Sequence, residues 1–314
     1  MQQISTAVGG IDIGKAFLDL AVVPSSQFRR VSNDASGWLE AIAWLRAAGV
    51  ERVGLEASGG YERGVVTALR EHGMVVCLHQ PGQVRLYARM LLKRAKNDRL
   101  DAQLIAAFTA QAMEPRAAPD AQLAALADRL VYIDQLGEDI ARLKTRLEHS
   151  PDPRIAGLIA ADIAELTARR RRERARLETD VRHSPALNRR LDLLLSIPGI
   201  GMPTALALLI GMPELGSLGR QQAAALIGLA PFDRDSGMHK GQRHIAGGRA
   251  RPRKALYAAA LPAAFKWNPA IKSLYQRLLA RGKAHKQALV ACARKLVIYA
   301  NTVLARNTPW QTQN

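Results

Sequence analysis

Residues 8–23 read VGGIDIGKAFLDLAVV, and the first half of the fold turns on this stretch. Two apolar runs flank a Gly14-Lys15 turn, the pattern of an antiparallel hairpin that begins a sheet. FRRVSN, 28–33, adds a third strand. A helix-period stretch follows over 37–48 (GWLEAIAWLRAA), then ERVGLEAS as a short buried strand, a helix over 62–72, and MVVCLH as another strand. Strands alternating with helices imply an α/β domain with a mixed sheet. Pro81 opens a further helical region, and LLKRAKNDRLDAQLIAAFTAQ runs into a helix through Ala102 and Phe108. This domain is expected to end near 115–119, giving a first unit over 1–118.

The texture then changes. Leu123, Leu126, Leu130, Ile133, Leu136, Ile140, Leu143 and Leu147 step by three or four residues, a narrow apolar seam of coiled-coil type. HSPDPR (149–154) interrupts it with two prolines, and a second helical stretch over 155–181 carries ARRRRERAR. The expected element is a coiled-coil helical hairpin over 119–183, its seam covered either by its own second helix or by another subunit. The arginine run reads equally as a solvated helix face or as a phosphate contact. From 184 to 314 short helices punctuated by glycine predict an all-α domain. The IPGIG turn (197–201) resembles a helix-hairpin-helix, in which glycines let backbone N–H groups approach a phosphate. A polar Gly-rich loop, FDRDSGMHKGQRHIAGGRARPRK, leads into the last helices.

The chain has 314 residues, with 45 Lys and Arg against 27 Asp and Glu, a formal charge of +18 and 48% hydrophobic residues. That apolar share excludes a disordered basic tail, so the positive charge sits on folded surfaces and points to a polyanionic partner. Cys77 and Cys292 lie in apolar stretches and read as buried thiols in a reducing, cytoplasmic setting. No apolar run is seen to approach the roughly 20 residues that span a bilayer, and MQQISTAVGG lacks the pattern of a signal peptide. Neither a membrane nor a secretory role is expected. No zinc spacing and no P-loop is present.

Four carboxylates stand out by context. Asp12 lies inside an apolar strand, where an unpaired charge is expensive; Glu56 ends another. Asp98 and Asp101 are three apart in NDRLDAQLIA, on one face of a helix, where like charges repel unless a cation lies between them. Each alone also reads as a cap. Together they form a candidate site for a divalent ion, Mg²⁺ or Mn²⁺ by the preference of oxygen ligands, suited to phosphoryl transfer. Beside them Lys93, Arg94, Lys96 and Arg99 form a basic segment expected to dock nucleic acid.

GIDIGK (10–15), LEASGGY (55–61) and KNDRLDAQLIA (96–106) resemble the D-E-D-D motifs of the insertion-sequence 110/1111 family of transposases, kin to the Piv-type DNA invertases. SIPGIGMPTALALL, AALIGLAPFDRDSGMHKGQRHIAGGRARPRKALYAAAL and ALVACARKLVIYANTVL resemble that family's C-terminal transposase domain. The resemblance implies a RuvC-like, RNase H-like N-terminal domain whose metal-binding acids match Asp12, Glu56, Asp98 and Asp101. It also implies a C-terminal serine nucleophile matching Ser236, and a noncoding guide (bridge) RNA from the element that directs recombination of donor and target DNA by a homo-oligomer, a dimer or a tetramer built as a dimer of dimers. The GGR at 247–249 leans toward the 1111 branch.

From its residues alone, Ser236 before Gly237 reads as a turn residue. Lys240, Arg243, Arg249, Arg251 and Arg253 are candidates for holding phosphates beside it; His239 and His244 read as solvent-facing or as proton donors, and Tyr61 and Tyr87 as packing against the sheet or stacking on bases. Two other functions fit parts of the pattern. One is a RuvC-like nuclease or junction resolvase that activates water, with Ser236 structural. The other is an inert nucleic-acid-binding scaffold. A covalent protein–DNA product separates the first from the recombinase, and metal-dependent cleavage excludes the second.

Overall fold

The hairpin in 8–23 forms as β1 (Val8–Ile13) and β2 (Phe17–Val23), antiparallel, with Asp12 registered opposite Asp19. Gly14 N donates to Phe17 O at 2.9 Å and closes the turn. β3 (Gln27–Ser32) continues the antiparallel ladder, whereas β4 (Arg52–Glu56) and β5 (Val75–His79) run parallel to β1. The sheet order is β3-β2-β1-β4-β5. Parallel neighbours require crossovers, supplied by α1 (Ala35–Ala47) and α2 (Arg63–Glu71); α3 (Pro81–Met90) and α4 (Asp98–Gln111) follow. This is the mixed sheet that the alternation of strands and helices implied. The computed structural model describes residues 6–91, 98–111, 120–232 and 244–311, and its contacts divide the chain into two units, Met1–Ala118 and Pro119–Asn314.

Alternation along the strands sorts the two faces of the sheet. Ile11, Leu20, Leu55 and Val31 enter one core with Leu45, Val65 and Leu69 of α1 and α2. The opposite face belongs to α4. There a Cβ on Gly10 would lie 2.3 Å from both Ala102 O and Ala106 N, and one on Gly54 would lie 1.8 Å from Thr109 Oγ1. Only glycine permits so close an approach of helix to sheet.

The second unit opens with α5 (Ala121–Glu148) and α6 (Pro153–His183), the expected helical hairpin. Asp120 and Asp152 cap the two helices, and Pro153 takes the first helical position, where its missing N–H costs nothing. The seam is covered within the chain: Leu126, Leu130, Ile133, Leu136 and Ile140 are all buried. Of the two partners expected for the seam, its own second helix is the one observed, because a narrow apolar stripe covers itself as well within one chain as between two. Part of the arginine run also turns inward. Arg170 packs against Gly137, and Arg174 is partly buried, its pKa lowered by burial and by Arg170.

Leu126, Leu130, Ile133, Leu177 and Val181 join the core of the remaining helices. These are α7 (Pro185–Leu195), α8 (Met202–Gly211), α9 (Arg220–Leu226), α10 (Ala250–Pro262), a π-helical turn (Ala263–Trp267), α11 (Pro269–Ala280) and α12 (His285–Arg306), with a small pair of strands, β6 (Pro231–Phe232) and β7 (His244–Ile245). α12 is apolar and long enough to cross a membrane by composition, contrary to the sequence expectation, and half of that stretch is buried in the core. Both cysteines are free and buried, and burial pushes the Cys292 thiol up to about 11.

Candidate active site

Asp12 sits on the α4 face of β1, next along that face from Gly10. Its carboxylate accepts a hydrogen bond from Ile13 N at 3.1 Å. Burial, then the charge of Asp101, then those of Asp98 and Asp19, raise its pKa to about 6 against a single opposing backbone bond. Three carboxylates thus bear on Asp12 at once. Glu56, half-buried at the end of β4, lies one step beyond the Ile11–Leu55 pair and shares the face of Gly54. Asp98 and Asp101 in the first turn of α4 thus reach Asp12 electrostatically, and the strand register places Glu56 on the same face.

Two residues of this face were not singled out in the sequence. Asp19, opposite Asp12, is buried, and Arg30, opposite Asp19 on β3, grips both of its oxygens at 2.8 Å. Arg30 Nη2 also donates to Asp98 at 2.6 Å. A guanidinium therefore bridges a buried carboxylate to the acidic helix terminus, and both bonds raise the pKa of Arg30. The signal was the register: Asp in FLDLAVV falls opposite Arg in QFRRVS only once the two strands are paired.

The loop after β4 is built around Glu62, whose Oε2 accepts from Ser58 N at 3.1 Å, Ser58 Oγ at 2.9 Å and Gly60 N at 2.8 Å. Burial works to raise its pKa, and these hydrogen bonds together outweigh it and lower the value. Asn33 ties the two loops at the site: Nδ2 donates to Gly14 O at 2.9 Å and to Tyr61 O at 3.2 Å, while Oδ1 accepts from Trp38 Nε1 at 2.8 Å. Below Glu56, His79 pairs with Thr109 Oγ1 at 2.8 Å, and burial followed by Arg52 lowers its pKa.

The acids of this face offer oxygen donors alone, which suit a hard divalent cation, and a cation relieves their mutual repulsion. Among the described residues no three acids, histidines or cysteines are drawn into a closed ligand set. The electrostatic coupling reaches farther than a coordination bond, and Asp98 is held by Arg30.

Residues 9–150 match the family model of the DEDD transposases of IS110 type, and residues 191–276 match that of the transposase IS116/IS110/IS902 family. The two matches fall in tandem and together take in most of the chain. The chain belongs to the IS110 family of transposases. The transposase is 26% identical over 322 residues to the pilin gene-inverting protein of Moraxella bovis, spanning 96% of each chain, and equally so to that of Moraxella lacunata. It is 32% identical over 123 residues to an uncharacterized 43.6 kDa protein of insertion element IS110 from Streptomyces coelicolor, covering 38% of this chain and 30% of that one. Among solved structures, T. thermophilus RuvC in complex with a Holliday junction substrate is similar over 34% of this chain and 95% of its own, at 21% identity and a TM-score of 0.27.

The remaining sequence candidates of the transposase fall in three places. Ser236, Lys240, Arg243, His239, Lys93, Arg94 and Lys96 lie outside the described residues. Arg99 is exposed on α4 and its guanidinium lies 5.6 Å from the Phe28 ring centre, Tyr61 is exposed, and His244 is exposed on β7. Others take internal partners. Arg249 forks onto Glu214 at 2.7 and 2.6 Å and onto Gly211 O at 2.8 Å, Arg251 pairs with Asp134, and Arg253 donates to the carbonyls of Ile227 and Gly247. Tyr87 is buried against Phe108 and accepts from Gln111 at 2.9 Å, so it packs in the domain instead of stacking on a base. Gly199 of IPGIG serves the fold: its φ is +97°, and a Cβ there would lie 2.5 Å from Ala263 Cβ.

Proposed function

We propose that the transposase cuts and rejoins DNA strands with Asp12, Glu56, Asp98 and Asp101 as a divalent-metal site and Ser236 as the nucleophile. The observation that carries this reading is geometric: Asp12 and Glu56 lie on the α4 face of adjacent strands, Asp98 and Asp101 lie in the first turn of α4, and the charges of Asp98, Asp101 and Asp19 bear on Asp12. A fold does not accumulate like charges on a desolvated face without a use for a cation there.

Asp12 and Glu56, on adjacent strands, and Asp98 and Asp101, on the first turn of α4, would hold Mg²⁺ or Mn²⁺, which when bound neutralises charge on a scissile phosphate and favours the ionised form of an attacking hydroxyl. Arg30 holds Asp19 as the wall of the site, and Gly10 and Gly54 let α4 bring its acids down to the sheet. Arg99, with Lys93, Arg94 and Lys96, contacts phosphates. Ser236 Oγ attacks phosphorus, the bond to the leaving DNA oxygen breaks, and a Ser–phosphate ester keeps the bond energy for rejoining. Lys240, Arg243, Arg249, Arg251 and Arg253 are assigned to the phosphates beside that serine, the last three positioned by their internal partners.

In this reading a bridge RNA of the element selects donor and target DNA by base pairing while the protein reads backbone and shape. The assembly is a homodimer or a tetramer of two dimers, acting on the nucleoid in the cytoplasm. Its subunit contacts lie away from the buried hairpin seam; the exposed Ile155 and Leu158 at the hairpin tip are one candidate surface.

The test uses purified protein with donor and target duplexes, Mg²⁺ and copurified RNA. Denatured wild-type reactions should carry DNA bonded to protein, and Ser236→Ala reactions should not. Cleavage by Ser236→Ala at the wild-type rate would move the assignment to the water-activating nuclease, and RNA-free protein that recombines at full rate would remove the guide.

A further inference from the structure

Phe265 and Trp267 project from the π-helical turn AAFKW, and they are 54% and 56% exposed. The backbone beneath them is fixed. Ala263 and Ala264 are buried, Ala263 receives the close approach of Gly199, and Asn268 both donates to Pro198 O at 3.0 Å and caps α11 by accepting from Ile271 N at 3.1 Å. Phe265 is backed by Tyr275 and His285, with ring centres at 5.2 and 6.5 Å, and Tyr275 Oη lies 2.6 Å from His285 Nδ1. Lys266 Nζ stands 4.8 Å from the Trp267 ring centre. π turns are rare and concentrate at functional sites. Two large rings held in water on a rigid support forgo the gain of burial, which points to a partner that covers them.

Charge identifies the partner. From 236 to 314 the sequence contains fifteen Lys and Arg and no Asp or Glu. Lys266, Lys283 and Lys286 are exposed, the last two within two residues of His285, whose ring lies 6.5 Å from that of Phe265. Flat apolar faces interleaved with cations match a strand whose bases are free to stack and whose phosphates run alongside. A duplex offers the same phosphates but hides its base faces. We propose that Phe265 and Trp267 form a stacking platform for unpaired bases of single-stranded DNA, with Lys266, Lys283 and Lys286 on its phosphates. The choice of DNA rests on the transposase reading, in which strand cutting and exchange open the duplex; the platform itself does not involve the carboxylate site.

The full-length protein is titrated against fluorescein-labelled oligothymidylate of about 20 nucleotides, a duplex of the same length, and oligouridylate, by anisotropy over a series of salt concentrations. The double substitution Phe265→Ala, Trp267→Ala should weaken single-stranded DNA binding at least about tenfold with duplex binding and the salt slope unchanged. Trp267→Phe should recover most of the loss, while Lys266→Ala with Lys283→Ala should reduce the salt slope. Phe265→Leu, which keeps apolar volume and loses the ring, provides the same comparison should the double variant melt early. Equal losses for duplex and single strand, no loss, a loss confined to oligouridylate, or a change in mass by light scattering that marks the patch as a subunit contact would each overturn the platform. Failure of the metal-site reading appears elsewhere, as cleavage by Asp12→Ala, and leaves these titrations unaffected.

Discussion

The two units of the transposase handle charge in opposite ways. In the first, carboxylates from β1, β2, β4 and α4 are placed on one face of the sheet, where Asp12 is pushed up to about 6 and Arg30 spans Asp19 and Asp98. In the second, everything beyond Asp235 is free of acidic residues, and exposed rings stand among lysines. The acids of the first favour small cations, whereas the acid-free stretch of the second attracts phosphates directly. The proposed reaction uses both, since a metal site would be anionic to load and a binding surface cationic to hold the strand.

Removing the acids breaks this contrast most severely. Asp12→Ala, Glu56→Ala, Asp98→Ala and Asp101→Ala should each lower strand cleavage by about 10³-fold or more while DNA binding stays within a factor of about three. Gel-based cleavage and anisotropy measured on the same preparations check this, and recombination at the wild-type rate by Asp98→Ala would remove it from the site.

Separating the acids without deleting any is the next largest effect. Gly10→Ala inserts a Cβ 2.3 Å from the α4 backbone, so the helix must shift away from the sheet. Overpacking of this kind costs about 1–3 kcal/mol, and cleavage should fall well beyond what the stability loss explains. Thermal melts and cleavage at a temperature where the variant is fully folded separate the two.

Arg30→Gln sharpens the comparison from the other side, because it leaves the buried Asp19 without its counter-charge and frees Asp98. The metal-free variant should melt several degrees lower than wild type, and Mg²⁺ should raise its melting temperature more than it raises that of wild type. Equal Mg²⁺ shifts in both proteins would show that Arg30 and the ion do not compete.

The smallest effect is in pH. The folded pKa of Asp12, about 6, lies above its unfolded value of 3.8, so its cost to metal-free stability is absent below the unfolded value, grows as pH rises through this window, and is complete above about pH 6. Asp12→Asn should therefore stabilise the metal-free protein at pH 7 by about 1–2 kcal/mol after solvent screening, and do little at pH 4. Asp34, lowered to about 2 by its bonds to Ser36 and Gly37, titrates below this range. Urea melts at the two pH values read the difference.

The sequence by itself determined the strands around Gly14-Lys15, the two long helices separated by HSPDPR, the buried thiols and the D-x-x-D spacing at the start of α4. These are local matters: alternation, prolines at a first helical turn and side-chain spacing on one helix need no knowledge of distant residues. Only the tertiary structure decided what covers what. Periodicity showed that Leu126 through Ile140 form an apolar stripe, but α6 instead of a second subunit lies on it. Their place after Ser236 marked Arg249, Arg251 and Arg253 as phosphate candidates, and only the structure shows Glu214, Asp134 and backbone carbonyls positioning them within the chain. Asp19 and Arg30 became partners only through the β2–β3 register, and only the structure shows Phe265 and Trp267 exposed on a turn whose Ala263 packs closely against Gly199. A side chain's type sets what it can bind, and the packing of distant segments decides whether it is left free to do so.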